Sequence, residues 1–289
     1  MTRIALASCA ELPGLDDEGQ LLLGALRDRG VEAEAVVWDG DDAWEAFDLV
    51  VLRGTWDYAE RIEEFLAWTD HVATVSRLLN PAPVVRWNTD KRYLAGLESA
   101  GVPIVPTQFL EPGEEPRHRF EDVEHVVKPV VSAGSRDTLR LGVHQVDRSR
   151  AHTASLLHRQ RPVMVQPYLH EVDEHGETAL LYLDGRFSHA MRKGPLLTPD
   201  MDLVADLFAQ EDMSPREPSA AERAVAEAVL AAVPEEYGDL LYARVDLLPS
   251  PDGPRLLELE LTEPSLFLDH HRPAVDVLAE AVLRRSSAG

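Results

Sequence analysis

Two segments far apart in the chain carry the residue types that bind nucleotide phosphates. Val126-Val127-Lys128-Pro129 sets a lysine near the end of an apolar run, and Ser132-Ala133-Gly134-Ser135 follows as a loop of small residues. Backbone N–H groups approach phosphate oxygens closely only where side chains are small. The loop is not a P-loop, because no Gly-Lys-Ser/Thr occurs there and no helical pattern follows at once. By itself it reads equally well as a hairpin loop. Lys128 is the stronger signal, since an ammonium within an apolar run is costly to bury without an anion. The second segment is Tyr242-Ala243-Arg244-Val245-Asp246 together with Leu257-Glu258-Leu259-Glu260. Residues i and i+2 of a strand share a face, so Arg244 lies beside Asp246 and Glu258 beside Glu260. Two adjacent antiparallel strands would gather these three carboxylates, and such a gathering calls for a cation. Hard oxygen donors suit Mg²⁺, with phosphate oxygens completing its octahedron. A solvated acidic face is the competing reading in so acidic a chain.

The rest of the composition narrows the field. With 289 residues the chain allows about two domains. Its 45% hydrophobic and 27% charged content is that of an ordinary globular protein. A net charge of −23, from 28 basic and 51 acidic side chains, argues against nucleic acid or an anionic membrane as partner. No run approaches the roughly 18 apolar residues of a spanning helix, and the short apolar start reads as a first strand rather than a signal peptide. The single cysteine, Cys9, excludes an intrachain disulfide and fits a cytoplasmic, reducing compartment.

These residues need elements to position them. Residues 3–9, 31–38 and 47–53 read as strands, with helices over 16–29 and 61–74, a rhythm that predicts a small parallel sheet. Ligands of such sheets sit beyond the C-terminal strand ends, which makes Ser8, Cys9, Arg53 and Trp56 candidates to face a ligand. Asn80-Pro81-Ala82-Pro83 marks a boundary, and a capped helix is expected from Asn88 to Gly101. Strands over 126–131 and 139–143 bracket the small-residue loop, residues 148–160 form a helix, and Val163–Tyr168 is a strand ending at a hinge. Glu177–Leu183 and Arg186–Arg192 flank Asp184-Gly185, a strong hairpin signal. Residues 195–218, rich in Pro and acids, read as a loop able to act as a lid, and side chains of 8–11, 53–58 and 195–216 as the seat of specificity. A helix over 220–232, strands over 240–248 and 255–261, and a last helix over 273–285 complete the chain.

In this order and spacing the motifs resemble the ATP-grasp superfamily, in its glutathione-synthetase-like branch, over roughly residues 85–270. The segments Ala7-Ser8-Cys9-Ala10, Arg53-Gly54-Thr55-Trp56-Asp57-Tyr58 and Arg86-Trp87-Asn88-Thr89-Asp90-Lys91 are most similar to the subgroup of D-cycloserine-forming cyclases, which act on O-ureido-D-serine. The resemblance implies an α/β protein of ATP-grasp fold, with a small parallel pre-ATP-grasp domain (1–82) and two α+β lobes (83–166 and 167–289) sandwiching ATP. It implies that Lys91 and Lys128 hold phosphates and that Ser132, Gly134 and Ser135 belong to the loop over them. Gln166, Tyr168 and Leu169 would form the adenine hinge, and Glu171 or Glu177 would contact ribose. Arg192, with Lys193 as neighbouring candidate, would lie near the transferred phosphate and Arg244 near an acyl phosphate. Asp246, Glu258 and Glu260 would bind one or two Mg²⁺ ions, and Ser8, Arg53 and Trp56 would stand on the substrate side. One departure is Glu258-x-Glu260, where the family usually has Glu-x-Asn.

The implied activity is ATP-dependent formation of an acyl phosphate on a small carboxylate, followed by attack of a nitrogen. Intramolecular cyclisation, intermolecular amino-acid ligation and modification of a peptide all fit, with the compact N-terminal region favouring small substrates. Family relatives are often dimers or tetramers, so a homo-oligomer is part of the same expectation.

Overall fold

Short apolar runs, each followed by an amphipathic helix or a tight stop, build the first layer of the computed structural model, which describes residues 2–195, 197 and 212–286. Strands β1 (Arg3–Ser8), β2 (Glu32–Val37), β3 (Leu49–Gly54) and β4 (Arg77–Leu79) are all parallel, in the order β2-β1-β3-β4. Parallel neighbours need crossovers, supplied by helices α1 (Asp17–Asp28) and α2 (Ile62–Val75). Helix α1 begins at Asp16, whose carboxylate accepts from the Gly19 N–H (2.8 Å). One face of this sheet packs on Trp38, Trp44, Phe65 and Trp68, whose rings meet at 5.1–5.7 Å.

Two short helices follow, α3 (Ala82–Asn88) and α4 (Tyr93–Ser99). The helix expected from Asn88 to Gly101 is the shorter α4 alone, and Asn88 ends a helix, α3, that lies where a boundary was expected. Pro83 sits in the first turn of α3, where its missing N–H costs nothing, so the Pro-rich boundary is a helix start. The turn between α3 and α4 carries Lys91.

The second sheet is antiparallel. Strands β5 (Gln108–Leu110), β6 (His125–Pro129), β7 (Leu139–Leu141) and β8 (Val163–Pro167) lie in the order β5-β8-β6-β7, with α5 (Val146–His158) packed on β6–β8. The third sheet, also antiparallel, is ordered β11-β10-β9-β12-β13: β9 (Glu177–Leu183), β10 (Arg186–Lys193), β11 (Met213–Pro215), β12 (Tyr242–Leu248) and β13 (Arg255–Glu260). A short α6 (Glu171–His175) leads into it, and α7 (Ala220–Ala231) packs on β12 and β13. Helix α8 (Pro273–Ser286) lies against α1 and β9, so Leu22, Leu26, Leu181, Leu183, Leu278 and Val282 form one core shared by the first and third sheets. Residues 196 and 198–211 of the expected lid lie outside the described residues; within its later part, 213–215 is the edge strand β11. Among the described residues no helix is long and apolar enough to cross a membrane.

Gly176 joins α6 to β9 at φ 72°, and a Cβ there would stand 2.6 Å from the Lys193 carbonyl oxygen and 2.9 Å from the Arg192 side chain. Only glycine permits both the left-handed turn and this approach of β9 to β10. Gly176→Ala is therefore expected to lower the free energy of unfolding by about 2 kcal/mol or more, read as a reduced urea midpoint at unchanged m-value.

Candidate active site

Strand alternation and register set the polar face of the third sheet. Arg244 pairs across the ladder with Glu260, and Asp246 with Glu258. On the other side of β12, Glu177 of β9 stands opposite Lys193 of β10. A cavity of about 430 Å³ lies between this face and the second sheet, a size common for ligand pockets. Val105, Leu169, Val172, Leu248 and Leu257 make one region apolar; Lys91, Lys128, Ser132, Gly134 and Ser135 line another; Trp56 and Tyr58 reach in from the first layer.

The charged groups are closely tied. The Arg244 guanidinium donates to both carboxylate oxygens of Asp246 (2.9–3.1 Å), to Glu260, and to the Ser265 carbonyl (3.3 Å). The Lys91 ammonium donates to the Ser132 carbonyl (2.8 Å) and lies 3.0 Å from Glu258. Lys193 holds Glu177 at 2.7 Å and lies 3.5 Å from Asp246. Lys128 has no ion pair within 4.0 Å among the described residues, and burial pushes its pKa down against the pull of Glu258. Burial alone would raise Glu258 and Asp246, but Lys91 and Lys128 hold the first below the ordinary carboxylate range, and Arg244 and Lys193 the second. Positive charge does not reach the others equally. Burial lifts Glu177 and Glu260 each to about 7, with Lys193 and Arg244 only partly opposing it.

These carboxylates suit a hard divalent cation, because they are oxygen donors left short of positive charge in a buried place. They do not form a finished cage: among the described residues no three His, Cys, Asp or Glu side chains are drawn together as metal ligands. Arg244 stands between Asp246 and Glu260, and Lys91 occupies Glu258. A cation here would take one or two carboxylates and fill its shell from a bound ligand, the usual habit of Mg²⁺.

Strand β13 is an edge strand, and an unpaired edge leaves backbone groups to satisfy. Side chains cover it. The Tyr93 hydroxyl donates to the Leu259 carbonyl (2.9 Å) and accepts from the Leu259 N–H (2.8 Å). The Asn88 amide donates to the Leu259 carbonyl and accepts from the Leu261 N–H, both at 2.7 Å, and Asn80 donates to the Leu261 carbonyl at 2.7 Å. Glu258 and Glu260 are thereby fixed without a further strand.

Of the residues expected to meet, Lys91, Lys128, Ser132, Gly134, Ser135, Gln166, Tyr168, Leu169, Glu177, Lys193, Arg244, Asp246, Glu258, Glu260 and Trp56 line this one cavity. Four do not. Ser8 is fully buried, its hydroxyl donating to the Val36 carbonyl (3.3 Å). Arg53 turns inward to Glu18 of α1 and donates to the Pro264 carbonyl (3.1 Å). Neighbouring strand residues face opposite ways, so with Lys193 in the cavity Arg192 points away and donates to the His175 carbonyl (3.0 Å). Glu171 lies on α6, off the cavity wall. Cys9, also expected at a strand end, is buried in the aromatic core. The Tyr168 N–H is committed to the Glu124 carbonyl (2.8 Å), which leaves Leu169 as the next hinge residue facing the cavity. Tyr58 falls within the 53–58 stretch expected to carry specificity, whereas sequence reasoning missed Thr262, Glu263, Ser265 and Phe267 as lining residues. The small Thr262-Glu263-Pro264-Ser265 run directly after the acidic strand was the available signal.

A parallel layer followed by two antiparallel sheets enclosing a cavity of lysines and paired carboxylates is the architecture of the ATP-grasp ligases. The ATP-grasp ligase PsnB, solved with a minimal precursor, Mg and ADP, shares this fold with a TM-score of 0.62 at 19% identity, over 98% of this chain and 97% of that one. Residues 4–80 match the family model described as the N-terminal domain of D-cycloserine synthetase DcsG. The cycloserine biosynthesis protein DcsG of Streptomyces lavendulae is 39% identical over 302 residues, spanning 98% of each chain. The crystal structure of D-cycloserine synthetase DcsG matches with a TM-score of 0.89 at 38% identity, over 98% of this chain and 99% of that one. The chain belongs to the D-cycloserine synthetase DcsG family.

The Arg53–Glu18 pair gives a test of how the cavity wall is held. Glu18 also accepts from the backbone N–H groups of Leu266 (3.0 Å) and Leu268 (3.3 Å). Removing one partner of such a buried pair costs about 3–5 kcal/mol. Glu18→Ala is expected to lose that much in urea unfolding, whereas the double variant Arg53→Met/Glu18→Leu recovers part of it. A loss under about 1 kcal/mol would show that the pair bears no load.

Proposed function

We propose that the chain is an ATP- and Mg²⁺-dependent cyclase that activates the carboxylate of O-ureido-D-serine, or a close relative of it, and closes the ring to D-cycloserine. The observation that carries this reading is the convergence of Lys91, Lys128, Lys193 and Arg244 with the Asp246, Glu258 and Glu260 row on one cavity. Similarity along the whole chain to cycloserine synthetases supports the cyclase over an intermolecular amino-acid ligase or a peptide-modifying one.

In this reading the apolar region around Leu169, Val172, Leu248 and Leu257 receives the adenine. Lys91 and Lys128 hold phosphate oxygens, and the amides of Ser132–Ser135 cover them, with Gly134 (φ 61°) and Ser135 (φ 59°) turning the backbone sharply. Mg²⁺, as one or two ions on Asp246, Glu258 and Glu260, would neutralise phosphate charge. A substrate carboxylate oxygen attacks the γ-phosphorus, the bond to the β-phosphate oxygen breaks, and ADP departs. Arg244 and Lys193 stabilise the charge on the transferred group. The ureido nitrogen bonded to the ether oxygen then attacks the acyl carbon and loses its proton, inorganic phosphate leaves, and water cleaves the carbamoyl group from the ring nitrogen, releasing it as carbon dioxide and ammonia. No protein side chain becomes covalently modified. The first 82 residues supply the substrate wall, 83–166 the phosphate loop and 167–289 the metal row, and the cytoplasm supplies the ATP.

A coupled assay of ADP release tests this directly. O-ureido-D-serine alone should stimulate release; dependence on an added amine would overturn the cyclase. Lys128→Met should lower kcat/KM by roughly 10²–10³-fold. It should not weaken the ligand-free fold. The folded state depresses the Lys128 pKa, so the unfolded chain holds that proton more tightly and the charge opposes folding at neutral pH. Mg-ATP should then stabilise the wild type, measured as a raised unfolding midpoint, and the variant much less.

A further inference from the structure

Glu263 is a cavity-facing carboxylate that the chemistry above leaves without a task. It is 7% exposed and lines the cavity beside Thr262 and Ser265. Its position is built rather than incidental. Tyr58, 6% exposed, stacks on Phe65 at 5.0 Å and gives its hydroxyl to the Glu263 carboxylate, while the Trp56 indole N–H donates to the Glu263 carbonyl (3.3 Å). A phenol satisfies one of about four acceptor positions on a carboxylate. No cation lies within 4.0 Å of it among the described residues. The nearby guanidinium groups are engaged elsewhere, Arg53 with Glu18 and the Pro264 carbonyl, Arg244 with Asp246, Glu260 and the Ser265 carbonyl. Burial, reinforced by Glu260, accordingly lifts its pKa to about 8.

The place of Glu263 along the chain says what would satisfy it. Leu257 lies in the apolar region, Glu258 and Glu260 in the acidic row, and Glu263 comes three residues after Glu260, in the bend that follows β13. There the cavity wall is shared with Trp56 and Tyr58 of the first layer. Arg244 faces the acidic row and the backbone of Ser265 at once. A carboxylate held near Arg244 and carrying an α-ammonium would present that ammonium toward Glu263.

We propose that Glu263, oriented by Tyr58, receives the α-ammonium of an amino-acid substrate and sets the preference for free amino acids over deaminated counterparts. This rests on the cyclase reading only in taking the substrate to be a small carboxylic acid. The test is calorimetric binding of O-ureido-D-serine and of 3-(ureidooxy)propanoic acid, which lacks the amine, to the full chain with Mg²⁺ and a non-hydrolysable ATP analogue. The wild type should bind the amino acid about 100-fold more tightly than the deamino acid. Glu263→Gln should bring that ratio below about 10 and raise KM for the amino acid by a similar factor, with KM for ATP unchanged. Tyr58→Phe keeps the carboxylate but loses its anchor, and should weaken amino-acid binding about 5-fold, which keeps the test open if Glu263→Gln folds poorly.

Equal binding of the two acids by the wild type would overturn the assignment, as would a fall in kcat at unchanged KM in Glu263→Gln, the mark of a proton-transfer role. A shifted Mg²⁺ dependence in that variant would reassign Glu263 to the metal and overturn it too. If the amino acid binds through Glu263 but releases no ADP, the cyclase reading fails and the ammonium site stands. If the deamino acid drives ADP release as well as the amino acid does, carboxylate activation stands and the ammonium site fails. Binding of neither acid overturns both.

Discussion

The bond on which this site depends is the grip of Arg244 on Asp246 and Glu260 across two neighbouring strands. It fixes the relative height of β12 and β13 at the point where the cavity needs its carboxylates, and makes one guanidinium the neutraliser of two acids. The arrangement does not balance. The described residues lining the cavity include four cationic side chains, Lys91, Lys128, Lys193 and Arg244, against five acidic ones, Glu177, Asp246, Glu258, Glu260 and Glu263. Desolvation makes each unmatched charge expensive, and the structure shows where the mismatch falls. Lys128 has no ion pair within 4.0 Å among the described residues, and Glu177, Glu260 and Glu263 are pushed toward their neutral forms. A ligand bringing phosphate oxygens for the lysine and cations for the acids relieves both sides at once.

The scaffold holding this tension is assembled from distant parts. Edge strand β13 owes its position to Asn80, Asn88 and Tyr93, which follow the first layer in sequence and act as a substitute for a missing strand. The stretch after β13 has no regular structure and is held by the first layer. Glu18 takes the amides of Leu266 and Leu268, Arg53 the carbonyl of Pro264, and the Tyr242 hydroxyl donates to the carbonyls of Leu52 and Thr262. The parallel layer therefore does more than add a wall. Its buried ion pair clamps the segment that carries Glu263 and Ser265, so rigidity at this end of the cavity derives from contacts more than 200 residues apart in sequence.

What was legible in the sequence follows from how local each signal is. The face shared by Arg244, Asp246, Glu258 and Glu260 needs only strand periodicity and one antiparallel pairing, both visible in the residues themselves. The Asp184-Gly185 hairpin is equally local. Arg53 shows the opposite case: a strand-end arginine looks the same whether it meets a ligand or a carboxylate, and its partner Glu18 lies on a helix 35 residues earlier. The choice between Arg192 and Lys193 was a question of strand phase, which Gly176 and the register with β9 decide. Helix α3 was hidden by its prolines, and β4, β5, α6 and β11, three to five residues each, are too short to carry a period. Glu263 was obscured by its neighbours, since it falls out of phase with Glu258 and Glu260 just after the strand ends.

Lys91 ties the small-residue loop and the acidic row into one site rather than two adjacent ones. Its ammonium bonds the Ser132 carbonyl and hydroxyl on the small-residue loop and, on the other side, Glu258. It thus spans the second sheet's loop and the third sheet's edge strand while itself standing on the turn between α3 and α4. In the reading proposed above, a cation on Glu258 would compete for the same carboxylate oxygens and free Lys91 for a phosphate. Because the same ammonium serves both contacts, loop and acidic row respond together. Such an exchange would need no large motion of the sheets, only the replacement of one partner of a buried ammonium by another.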